Sequence, residues 1–156
     1  MQVFVPYPEP IKVAQCLDAK RLNKQIIECR QILDAIDGTG KGWFNHPVVK
    51  MYKSHRDWLF YYMNCLNCYQ TYMRESENYT KTSYLVQTVL WDDKANEKRP
   101  PFLTSNFCDQ HKRRLYAKNP EHYKQFAEYG ASDENWYWDN EINQIIKYIN
   151  GKLIKE

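Results

Sequence analysis

Two lines of side chains run next to each other through residues 17–37. At helical spacing Leu22, Ile26, Cys29, Leu33 and Ile36 share one face, while Arg21, Lys24, Glu28 and Gln31 share another. The pattern predicts an amphipathic helix that must bury its apolar side, and Gly38-Thr39-Gly40 supplies the stop. A charged stripe on such a helix is ordinarily its solvated side. Two cations, a carboxylate and an amide in line are also what a site handling a charged backbone requires.

The flanking residues extend this reading. Pro6, Pro8 and Pro10 hold the start of the chain extended and let a helix begin only at Pro10. A helix or broken helix pair is expected over 10–37, then a loop carrying Trp43 to His46. Pro47 opens a long helix to about residue 74. Within it Met51, His55, Trp58, Leu59, Tyr62, Leu66, Tyr69 and Met73 form an apolar stripe, read as core. Residues 79–95 read as helix, with Val86, Thr88 and Val89 leaving a strand open, and Arg99-Pro100-Pro101 breaks the chain. Further helices are expected over 105–117, from Asn119-Pro120 to about 128, and over Glu141–Asn150, capped by Asp139 and ended by Gly151. The expected fold is all-α and single-domain over 1–156, with an extended segment at 1–9 and an extra C-terminal helix within 131–156.

A chain of 156 residues, 43% hydrophobic and 26% charged, can bury one core. No apolar run reaches membrane-spanning length, and the start lacks a signal peptide's basic-then-apolar order. A soluble, cytoplasmic monomer with no membrane partner is expected. Five cysteines without framework spacing read as free thiols in a reducing compartment. Cys65 and Cys68 form a CxxC with no second ligand pair, so they read as small core residues and no metal is expected.

A net charge of +3 excludes histone-like binding, so any nucleic-acid affinity must come from local clusters. One cluster is Lys20, Arg21 and Lys24. The other is His111, Lys112, Arg113 and Arg114 with Lys118, interleaved with Tyr116, His122, Tyr123 and Phe126. Cations among aromatics suit phosphate neutralisation next to an unpaired base, and equally suit a solvated Arg-rich helix. His46 and His55 read individually as packing or hydrogen-bonding residues, although His46 stands where helix N–H groups also favour an anion.

Three motifs, LDAKRLNKQIIECRQIL (17–33), GWFNHPVVKMY (42–52) and HKRRLYAKNPEHYKQF (111–126), together with the opening MQVFVPYP, carry a resemblance. The chain resembles the pyrimidine-dimer DNA glycosylase (endonuclease V-type) family, in its small bacterial and viral branch. The resemblance implies an all-α DNA-repair enzyme that binds damaged duplex DNA, extrudes a nucleotide and needs no cofactor. In such enzymes the N-terminal α-amine attacks C1′, an imine forms with the opened sugar, and β-elimination cuts the strand. The chemistry is sound, because an α-amine titrates near pH 8 and is partly nucleophilic at neutral pH.

Aligned without gaps from the amine, Met1 takes the nucleophile's place and Arg21 that of a DNA-contacting arginine. Three positions depart from the family's phage member. Leu22 stands at its catalytic glutamate and Gln15 at a histidine used near the phosphates. Its nucleophile is bared by removal of the initiator Met, whereas the bulk of Gln2 is expected to retain Met1. Glu28 and Asp18 are the substitute carboxylates. Lys20, Lys24, Gln25, His46, His111, Lys112, Arg113, Arg114, Lys118 and Tyr123 complete the expected DNA-binding set. The alternative is a non-catalytic protein that holds DNA or a nucleotide-like ligand through Arg21, Lys24, Gln25 and His46. A third possibility is a hydrolytic nucleotide-processing activity using Asp18, Glu28 and His46.

Overall fold

The computed structural model describes residues 1–40, 42–75 and 98–155. The expected helix over 79–95 lies outside them.

The first nine residues form no helix or strand, yet residues 2–6 are buried. Buried backbone needs partners, and side chains of three helices supply them. Gln25 accepts from the Phe4 N–H at 2.8 Å and donates to the Gln2 carbonyl at 2.8 Å. His111 Nδ1 accepts from the Val5 N–H at 2.7 Å, and the Tyr62 hydroxyl donates to the Phe4 carbonyl at 2.5 Å. An extended segment thus threads the core without joining any sheet.

The helices form much as the sequence predicts. Helix α1 (Pro10–Cys16) starts on its proline, and Leu17, with extended backbone at ψ 139°, separates it from α2 (Ala19–Asp37). Asp18 caps α2 by accepting from the Arg21 N–H, and Gly38 ends it in the left-handed region at φ 78°. Helix α3 (Pro47–Tyr52) is capped by His46, whose Nδ1 accepts from the Val48 N–H at 3.1 Å. A 3-10 turn at Lys53–His55 joins it to α4 (Arg56–Glu75), so the long helix expected from Pro47 is interrupted once. Met51, Trp58, Leu59, Tyr62 and Leu66 are buried as expected, His55 and Tyr69 are half-buried, and Met73 is exposed. Helix α5 (Ser105–Lys118) is capped by Thr104. Asn119 then makes only a capped turn, its side chain accepting from the His122 N–H, and a 3-10 stretch follows at Lys124–Tyr129. Cys16, Cys29, Cys68 and Cys108 carry free thiols, and Cys65 is fully buried in α4.

The fold is mainly helical but not all-α. The expected C-terminal helix over 141–150 is instead an antiparallel sheet of β1 (Asn135–Asp139), β2 (Gln144–Ile149) and β3 (Lys152–Ile154) in that order. Trp136, Tyr137, Trp138, Ile145, Ile146 and Tyr148 are aromatic or β-branched and favour a pleated surface. Asn150 and Gly151 both take positive φ, 51° and 76°, forming a tight turn between β2 and β3 where a helix end was expected. Asp139 caps the preceding turn, not a helix, accepting from the Glu141 N–H at 2.8 Å. Asn140 ties the hairpin to α3 through the Lys50 carbonyl at 3.0 Å. Among the described residues no helix is long and apolar enough to cross a membrane.

Candidate nucleic-acid interface at the start of the chain

Threading residues 2–6 through the core fixes where the chain begins. The Gln2 N–H donates to Glu28 Oε2 at 3.3 Å. Three covalent bonds separate that nitrogen from the α-amine of Met1, so the amine lies within about 7 Å of the carboxylate. Glu28 is on the polar stripe of α2, two turns along from Arg21. Its side chain is largely covered, and Lys24 Nζ stands 3.9 Å from its Oε1. His46 also lies near the start of the chain, its imidazole held below its ordinary pKa by burial and by the positive charge of the N-terminus. The His46 ring meets Tyr137 edge-on at 6.0 Å and Trp43 at 5.8 Å.

Cations from two helices converge on this point. The guanidinium groups of Arg21 from α2 and Arg114 from α5 stand 5.5 and 5.9 Å from the centre of the same Phe4 ring. Arg114 also donates to Gln2 Oε1 at 3.4 Å. Burial holds Lys118 below the usual lysine pKa, and Arg21, Arg114 and Lys24 push it the same way against Glu28. Burial likewise depresses Arg114, with Arg21 adding to it while Tyr137 and Asp133 oppose. Lys118 and Arg114 thus stand among like charges, which is how an anion-binding surface is made.

Other predicted residues are employed elsewhere. Asp18 caps α2 and accepts from the Tyr123 hydroxyl; that hydroxyl in turn accepts the Asp18 N–H at 3.1 Å. Tyr123 is 1% exposed, so it offers no stacking face. Gln25, also 1% exposed, is the clamp on residues 2–4 and offers no surface contact. His111 is 1% exposed, and burial, with Arg114 adding, drives its pKa down to about 3, so it is neutral and belongs to no basic cluster. Lys112 pairs with Asp109 at 2.9 Å and lies over the Tyr7 and Tyr129 rings. Arg113 donates to the Tyr129 carbonyl at 3.1 Å and to Gln110. The run 111–114 is therefore divided by helical geometry: of its four residues, Arg114 reaches the site. Lys20 is exposed on the first turn of α2.

Four residues at the site were not singled out from sequence: Gln2, Phe4, Trp43 and Tyr137. Phe4 and Gln2 carry no charge pattern, and Tyr137 comes from the segment expected to lead into a helix. Trp43 lies within the 42–52 motif, where the sequence predicts only a loop. A separate open groove of about 620 Å³, lined by Phe44, Asn45, Lys50, Trp138 and Tyr148 among others, contains none of the predicted site residues.

Residues 1–69 match the family model for pyrimidine dimer DNA glycosylase. The match bears out the resemblance over that stretch, which holds Met1, Arg21, Lys24, Glu28 and His46 and ends before Arg114 and Lys118. No curated protein and no solved structure matches the chain.

Proposed function

We propose that the chain is a DNA glycosylase and abasic-site lyase whose nucleophile is the α-amine of Met1. The observation supporting this reading is the hydrogen bond from the Gln2 N–H to Glu28, which holds a carboxylate close to the amine amid Arg21, Lys24, Arg114 and Lys118. The amine nitrogen attacks C1′, the bond to the damaged base breaks, and the sugar ring opens at O4′ to leave an imine. Loss of a C2′ proton then expels the 3′-phosphate by β-elimination, and water releases the amine. Glu28 accepts and returns protons and offsets the cationic charge of the imine. Arg21, Lys24, Arg114 and Lys118 hold the flanking phosphates. Glu28 supplies the carboxylate that Leu22, buried at 5% exposure, does not. Asp18 is set aside because its oxygens are engaged by the cap and by Tyr123.

Borohydride reduction in the presence of abasic-site duplex tests the reading. A covalent adduct is expected, and acetylating the N-terminus is expected to abolish it. Binding of the duplex with neither adduct nor nicking would instead support a non-catalytic DNA-binding protein.

A further inference from the structure

Trp43 is a large apolar residue exposed in the loop between α2 and α3. It is 55% exposed, and its neighbour Phe44 is 50% exposed. Its backbone sits in the left-handed region at φ 66°, directly after Gly42 at φ 86°. That conformation is costly for a residue with a Cβ, and such strain persists at ligand-contacting positions more often than elsewhere. The loop is anchored on the C-terminal side of the strain: the His46 N–H donates to the Trp43 carbonyl at 3.0 Å, and His46 caps α3. The indole thereby stands edge-on to His46, whose imidazole lies close enough to the N-terminus to feel its positive charge.

We propose that Trp43 stacks on a nucleobase flanking the reacting nucleotide and braces the gap left when that nucleotide leaves the helix. The inference rests on the DNA-processing reading above and adds a base-contacting residue to it. A duplex with one nucleotide withdrawn exposes the π-face of its neighbours. An indole held by its loop beside His46 would cover that face with little loss of its own freedom. Stacking of this kind is tolerant of base identity, so Trp43 would add affinity for distorted DNA without reading sequence.

The test uses the whole protein and a duplex carrying a tetrahydrofuran abasic analogue next to 2-aminopurine, whose emission is quenched on stacking. Trp43→Gly removes the indole and suits the left-handed backbone, and Trp43→Phe retains an aromatic face. The wild type and Trp43→Phe should quench the probe. Trp43→Gly should leave it bright and bind about five- to 150-fold more weakly, with a thermal midpoint no lower than the wild type's. Equal quenching and affinity in Trp43→Gly overturns the role of Trp43 while leaving the enzymatic reading intact. A midpoint that falls together with affinity marks Trp43 as a structural residue and overturns it too. Failure of the wild type to bind this duplex or to form a borohydride adduct on true abasic DNA overturns the underlying reading instead.

Discussion

The backbone N–H of Gln2 points at Oε2 of Glu28, 3.3 Å away, so the polar stripe of α2 faces the first residue of the chain. Glu28→Gln keeps an acceptor for that N–H and removes the charge and the proton-transfer capacity. Single-turnover adduct formation on abasic DNA should slow by roughly 10²- to 10⁴-fold. Affinity should stay level or rise slightly, because a negative charge has left a phosphate-binding surface. An unchanged rate would assign the proton transfers to another group.

Gln25 sets where the amine is held, although it is far too buried to meet DNA. Gln25→Leu leaves the Phe4 N–H and the Gln2 carbonyl unpaired inside the core. Each such group costs about 1–3 kcal/mol, so urea unfolding should report a loss of about 2–6 kcal/mol. Adduct formation should fall as well, under conditions where the variant is still folded, because residues 1–4 lose their register on α2. A destabilised protein with full activity would separate the clamp from the site.

His111 makes stability depend on pH with a definite sign. Its pKa is about 3 in the folded protein against an ordinary 6.5, because burial among Phe4 and Phe107 opposes the charged form and Arg114 adds to it. Between those values the unfolded chain binds the extra proton. Stability is therefore intact above about pH 6.5 and declines as pH falls toward 3. Denaturant titrations at pH 7 and pH 4 should differ by about 3 kcal/mol from this residue. His111→Gln should flatten that difference whatever its effect at pH 7. His46 and His55 are depressed in the same direction and leave a residual slope.

The positions at which sequence reasoning succeeded and failed follow from the range of the interactions involved. Pro10, Asp18, Gly38, Pro47 and Thr104 act on their own helices, so the helix boundaries could be read from neighbouring residues. The stripe of Arg21, Lys24 and Glu28 is also a property of one helix. The C-terminal sheet was missed because Asn150-Gly151 suits a helix end as well as a hairpin turn, and only the aromatic and β-branched run around it favours the hairpin. The burial of Gln25, His111 and Tyr123 is illegible in the sequence for a different reason. Their partners, Gln2 and Phe4, Val5, and Asp18, lie 21 to 106 residues away, and no local pattern reports such a pairing.

Arg113 and Arg114 are adjacent in sequence, and α5 turns them to different tasks. Arg114 meets Phe4, Gln2 and the Glu134 carbonyl next to the start of the chain, whereas Arg113 is spent on the Tyr129 carbonyl and Gln110. Arg114→Gln should weaken abasic-duplex binding without regard to sequence. It should also lower the slope of log affinity against log salt by about 0.9, as follows when one phosphate is no longer neutralised by the protein. Arg113→Gln should leave that slope unchanged and instead cost about 1–3 kcal/mol of stability, since a charge-assisted bond to a half-buried carbonyl is removed. Fluorescence anisotropy over a salt series, paired with urea unfolding, measures both. Equal slopes for the two variants would mean that DNA approaches α5 from the Tyr129 side, and the cationic set around Met1 would have to be redrawn.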